Sequence, residues 1–238
     1  MRRLICAFVV GAALAGGGFA SEVSTTAASR LTEDWWPKRL AEKKAQAEKG
    51  ECPYVFMGDS ITHGWDSQAE VFNKCFPGMS MVNLGFSGDR TEQTLWVINH
   101  IDWTKVNAKV LMLMIGTNNT GHRNREQESP DDTFDGVKAI IKNLREKTPD
   151  TKILLLAIFP RGEKASDQAR VRNSTVNAML PTLADDKCVF FMDIGARFLA
   201  DDGATLIKEV MPDLLHPNGK GYEIWAGAVK AKLEALAK

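Results

Sequence analysis

In "VFMGDSITHGW", residues 55–65, an apolar run stops abruptly at Gly58-Asp59-Ser60 and gives way to a second glycine four residues on. A run this short cannot make a globular helix, and an unbroken apolar one fits a strand covered on both faces. Five such runs punctuate the chain, at Tyr54–Met57, Ser80–Leu84, Val110–Ile115, Ile153–Ile158 and Val189–Met192. Helical stretches lie between and after them: Thr91–His100, which a threonine side chain can cap, Asp132–Lys147, Asp167–Leu180 and Lys220–Leu236. In the second of these, Phe134, Val137, Ile140, Ile141 and Leu144 recur at helical spacing. Ahead of the first strand, Leu31–Lys49 reads as an amphipathic helix interrupted near Pro37, anchored by Trp35, Trp36 and Leu40. Strand–helix alternation with right-handed crossovers predicts a flavodoxin-like, doubly wound α/β sandwich of about five parallel strands with helices on both faces.

In such a sheet a ligand sits outside the carboxyl ends of the strands. Those ends carry the unusual residues. Gly58-Asp59-Ser60 follows the first strand, Gly85-Phe86-Ser87-Gly88-Asp89 the second, Gly116-Thr117-Asn118-Asn119 the third and Pro160-Arg161-Gly162 the fourth. Asp213-Leu214-Leu215-His216-Pro217 stands late in the chain. A serine hydroxyl becomes a nucleophile when a base removes its proton, and an imidazole, which changes charge near neutrality, suits that task. A carboxylate three residues before the histidine can share a loop face with it and fix its tautomer. The backbone N–H groups of Ser60 and Gly88 and the side-chain amide of Asn118 can serve as donors to an oxyanion.

These blocks resemble those of the SGNH (GDSL-type) hydrolase superfamily, in order from about Pro53 to the C-terminus. "SGDRTEQTLW", "GTNNTGH" and "FPRG" are similar to the platelet-activating-factor acetylhydrolase Ib catalytic-subunit branch. The resemblance implies Ser60, His216 and Asp213 as the catalytic set, Ser60, Gly88 and Asn118 as the oxyanion hole, no cofactor, and a short-acyl ester as substrate. It also raises the expectation of a homodimer, since relatives of that branch pair up.

Other residues read differently. Asp59 is expected to hydrogen-bond the neighbouring loops, and Asp89 and Asp193 follow strands without the spacing of a triad acid. His63, one helical turn beyond Ser60, is expected to point along its helix and away from the pocket. His122 reads as pocket wall or surface. Arg161 is expected either to hold a carboxylate or sugar group of the substrate or to pair with an acidic loop. Trp65 and Trp96 read as core or as walls of the acyl pocket.

With 238 residues, 44% of them apolar, the chain can bury one large core, and 30 basic against 30 acidic residues leave no net field to favour nucleic acid. Arg2-Arg3, the apolar run Leu4–Leu14 and the small residues ending at Ala20 predict a secretory signal peptide over 1–20. An N-terminal segment over 21–50 and a hydrolase domain over 51–238 follow; no later run has the apolar length to span a membrane. Export makes a disulfide permissible, and a Cys52–Cys75 bridge is a candidate, leaving Cys188 odd. A metal-dependent phosphoesterase would need a D-x-H stretch and clustered histidines, whereas His63, His100, His122 and His216 are scattered. The complete set of reactive side chains argues against a retired, binding-only module. The reading is thus a secreted esterase of O-acetylated carbohydrates, with a platelet-activating-factor-like phospholipid acetylhydrolase, a lysophospholipase or a thioesterase as alternatives.

Overall fold

The structure is a computed structural model that describes residues 22–122 and 125–238. The expected signal peptide, with Cys6, lies outside the described residues. Strands β1 (Tyr54–Gly58), β2 (Met81–Gly85), β3 (Val110–Met114), β4 (Lys152–Leu156) and β5 (Val189–Met192) form one parallel sheet in the order β2-β1-β3-β4-β5. The chain passes from β1 to an edge at β2 and then crosses back to β3 on the other side of β1. Loops leaving β1 and β3 therefore diverge, opening the crevice in which doubly wound folds bind ligands.

Helices α1 (Glu22–Thr25), α2 (Trp35–Ala47), α3 (Ser60–His63), α4 (Ala69–Cys75), α5 (Thr91–His100), α6 (Thr117–Gly121), α7 (Pro130–Lys147), α8 (Gln168–Met179) and α9 (Gly219–Leu236) surround the sheet. Alternate strand residues face opposite ways, and both ways are dry. Val55, Met57, Leu111, Leu113, Ile153 and Leu155 meet α2, α5, α7 and α8 through Trp36, Leu95, Ile140 and Val176. Tyr54, Phe56, Met112, Leu154 and Leu156 meet α3, α4 and α9 through Ile61, Phe72 and Trp225. Burial on both faces is why these strands are apolar throughout rather than at every second residue.

Three local readings change, and a fourth is decided. Helix α2 runs unbroken through Pro37, which sits in its first turn, where a missing N–H forfeits no intrahelical bond. Thr91 opens α5 without capping it; the Arg90 N–H donates instead to Gln93 Oε1 at 3.0 Å. Cys52 and Cys75 are free thiols, because Cys52 packs against the core layer on one face of the sheet and Cys75 against the layer on the other. Trp65 is sealed in the core against Tyr222, and Trp96 stacks on His100; neither lines the cavity described next.

Candidate active site

Gly58 of β1 pairs with Gly85 of β2 and with Met114 of β3, so the three strands end level and release their loops onto one rim. Helix α3 starts directly at Ser60, with Asp59 as its cap accepting from the Ile61 N–H at 2.9 Å. The turn is so tight that a Cβ at Gly58 would collide with the Met114 carbonyl and the Thr62 hydroxyl. Asp59 thus caps its own helix rather than binding the neighbouring loops as expected, and burial pushes its carboxyl up to about 6.

The rim brings the sequence candidates together around a cavity of about 860 Å³, whose lining includes Ser60, Gly88, Asn118, Arg161, Asp213 and His216. Ser60 Oγ lies 2.8 Å from His216 Nε2, and His216 Nδ1 lies 2.6 Å from Asp213 Oδ2. The other Asp213 oxygen accepts from the Leu215 and His216 N–H groups at 3.0 and 2.7 Å. Leu214 takes the left-handed conformation, φ 62°, rare for a residue with a Cβ, and its carbonyl accepts from the Gly162 N–H at 2.9 Å. The loop is locked, yet its chemistry faces water: the His216 and Asp213 side chains are 40% and 57% exposed. Burial works against ionising Asp213, but its hydrogen bonds from His216 hold the carboxyl below its usual value.

A hydroxyl, an imidazole and a carboxylate in this series can pass a proton from Oγ to Nε2 while the carboxylate steadies the cation formed. Three groups on residues that line this cavity have a hydrogen to give. The Ser60 N–H opens a helix, so no intrahelical acceptor exists for it. Gly88 has φ 76°, a conformation open to glycine, and no described residue accepts from its N–H. Asn118 Nδ2 gives one hydrogen to the Asp89 carbonyl at 2.9 Å and has a second to give.

The remaining candidates separate. His63 faces the Ser87 loop, its Nδ1 3.2 Å from the Ser87 N–H, and burial holds its imidazole down at about 4. His122 lines the cavity. Arg161 does too, with Nη1 donating to the Thr117 carbonyl and hydroxyl at 3.0 and 3.1 Å. Asp193 accepts from the Gly195 N–H outside the cavity, and Asp89 pairs with Arg30 at 2.7 Å. Two arginines escaped the sequence reading. Arg170, on α8, lines the cavity with Nη1 buried and without a hydrogen-bond partner. Arg30, which meets the Ser87–Asp89 loop, lies in a segment with no motif to mark it. Among the described residues, no group of three or more acidic, histidine or cysteine side chains is placed to hold a metal ion.

Comparison with known proteins adds to this geometry. Residues 56–224 match the GDSL-like Lipase/Acylhydrolase family. The platelet-activating factor acetylhydrolase IB subunit alpha2 of Rattus norvegicus is 30% identical over 194 residues, 80% of each chain. A GDSL-like lipase from Bacteroides thetaiotaomicron shares the fold, with a TM-score of 0.67 at 23% identity over 83% of this chain and 97% of its own. So does an acetylxylan esterase of Geobacillus stearothermophilus, in a catalytic-mutant form, with a TM-score of 0.61 at 17% identity over 76% and 93% of the two chains. The chain belongs to the GDSL-like lipase/acylhydrolase family and is an ester-hydrolysing enzyme.

Proposed function

We propose that the chain is an exported serine esterase that removes acetyl or other short acyl groups from O-acetylated carbohydrates. The observation that carries this reading is the Ser60–His216–Asp213 series on an open rim, in a cavity that Gly88 and Asn118 also line. Ser60 Oγ attacks the acyl carbon as its proton passes to His216 Nε2. The oxyanion meets the Ser60 and Gly88 N–H groups and Asn118 Nδ2. His216 returns the proton to the departing alcohol, leaving an acyl-enzyme. Water then gives one proton to His216 as it attacks the acyl carbon, and the carboxylic acid leaves as Ser60 recovers that proton. Arg161 and Arg170 stand on the cavity wall as donors to polar groups of the alcohol.

The half-exposed His216 and Asp213 support a substrate that is not engulfed, as a sugar within a glycan would be. The acetylxylan esterase among the fold neighbours points the same way. Export rests on the sequence pattern of residues 1–20; no described helix is long and apolar enough to cross a membrane. A second reading, a phospholipid acetyl ester, is favoured by the 30% identity to the acetylhydrolase subunits.

A fluorophosphonate should label the wild type at Ser60 and leave Ser60→Ala unlabelled and inactive; retained activity in that variant would overturn the mechanism. p-Nitrophenyl acetate should be cleaved faster than the octanoate, and acetylated xylo-oligosaccharides faster than platelet-activating factor. The reverse order in the first pair removes the short-acyl reading, and in the second it selects the lipid. EDTA should leave all rates unchanged.

A further inference from the structure

The peptide joining Ser87 to Gly88 carries the oxyanion donor at one end and a carbonyl at the other. In a trans peptide the two point in opposite directions. The Ser87 carbonyl accepts from Arg30 Nη1 at 2.6 Å, and Arg30 is not among the residues lining the cavity that Ser87 and Gly88 line. The same nitrogen donates to Asp89 Oδ1 at 2.7 Å, and Trp36 Nε1 joins it there at 2.9 Å. Arg30 Nε and Nη2 grip the two Glu33 oxygens at 2.8 and 2.6 Å. The Asp89 carbonyl, finally, accepts from Asn118 Nδ2. One guanidinium is therefore tied to two of the three donors: directly to the Gly88 peptide, and through Asp89 to the Asn118 amide.

We propose that Arg30 is a positioning residue that orients and polarises the Ser87–Gly88 peptide so that its N–H meets the developing oxyanion. This rests on the mechanism above. Charge-assisted hydrogen bonds are about twice as strong as neutral ones, and a cation on an amide oxygen draws electron density from the N–H at the other end. The gain appears where negative charge forms, so it favours the transition state over the bound ester. Arg30 is not among the cavity-lining residues, and its charge is balanced by Asp89 and Glu33. A Cβ at Gly88 would lie 3.3 Å from Arg30 Nη1, so the loop and the guanidinium fit together only closely. Arg30 also precedes residues 56–224, the part that matches the family. A segment outside that match thus tunes the hole inside it.

The test compares Arg30→Met, Arg30→Lys and Arg30→Ala with wild type on p-nitrophenyl acetate, each rate normalised to the fraction of Ser60 labelled by a fluorophosphonate. Arg30→Met should lose about 10- to 100-fold in kcat with KM within about twofold, less than outright removal of a donor costs. An alkylboronic acid, which forms a tetrahedral anion on Ser60, should lose affinity in step. Lysine keeps the charge, but its ammonium ends one bond short of the place where Nη1 meets both Ser87 and Asp89, so Arg30→Lys should lose about tenfold, and it carries the test alone should the methionine variant not fold. Added methylguanidinium should restore part of kcat to Arg30→Ala. A kcat per labelled serine within about twofold of wild type in Arg30→Met and Arg30→Lys, or a loss confined to KM, would overturn the proposal. Activity surviving in Ser60→Ala would instead overturn the mechanism on which it rests.

Discussion

Asn118 spends one amide hydrogen on the Asp89 carbonyl, and its other is the one the proposed mechanism gives to the oxyanion. Asn118→Ala should lose about 10²–10³ in kcat at nearly constant KM. Asn118→Asp should be no better, because a carboxylate of the same shape repels the charge it faces; a rate near wild type would count against the oxyanion role. Asp213→Asn keeps the size of the group but accepts less well from the imidazole, and kcat should fall by about 10³, short of the 10⁴ reached where the acid is fully buried. These residues were legible because each ends a strand or sits at a fixed distance from a histidine. His63 bears on stability instead. Its native value of about 4 lies below the ordinary 6.5, so between these values the unfolded chain takes up the proton first. Stability is therefore lost as pH falls through that window. Asp59 and Asp89, raised from 3.8 to about 6 and 7, tilt the curve the other way, since the native state holds their protons longer. Comparing His63→Gln with wild type isolates the imidazole: on going from pH 7 to pH 5 the urea midpoint of the variant should rise relative to that of the wild type, and an identical pH shift in both would show that His63 does not titrate in this window.

The strands could be read to within one or two residues because a layer on each face demanded unbroken apolar runs. Order in the sheet followed from doubly wound topology, which leaves few alternatives once the alternation is seen. The ends of helices were less legible. Helix α7 starts at Pro130, two residues before the expected Asp132, because Ser129 caps it and proline suits the first turn. The five-residue α6 shows no periodicity at all; it forms because Gly116 turns with φ 127°. Helix α2 was visible, but not what it does. Its Trp36 is fully buried, packed at a tilt against Phe86 with ring centroids 5.4 Å apart, while its indole N–H reaches Asp89. Trp36→Ala should cost about 3–5 kcal/mol of stability in urea unfolding, the range for an aromatic lost from a packed core. A loss below 1 kcal/mol would mean that α2 rests on the sheet without sharing its core.

Two core layers, one on each side of a five-stranded sheet, make a molecule in which the N-terminal segment is structural rather than appended. Trp36, Leu40 and Ala47 lie in the same layer as Val55, Leu111 and Ile153, and Arg30 reaches the rim. Composition could not reveal this, since residues 31–49 read as a charged, alanine-rich amphipathic helix whose partner surface is unnamed. The family match begins at residue 56, but the packed molecule begins earlier. A chain starting at Ser21 should therefore match the full chain in melting temperature and in activity per labelled Ser60. A chain starting at Glu51 bares the face of the sheet that α2 covers, and a bare apolar patch of that kind drives association. It should aggregate on expression or lose its sharp melting transition, and any soluble fraction should label slowly at Ser60 because nothing holds the Ser87 carbonyl. If the shorter chain melted cooperatively within a few degrees of the longer one, the helix would be an ornament, and the deletion would separate the fold from the tuning of its oxyanion loop.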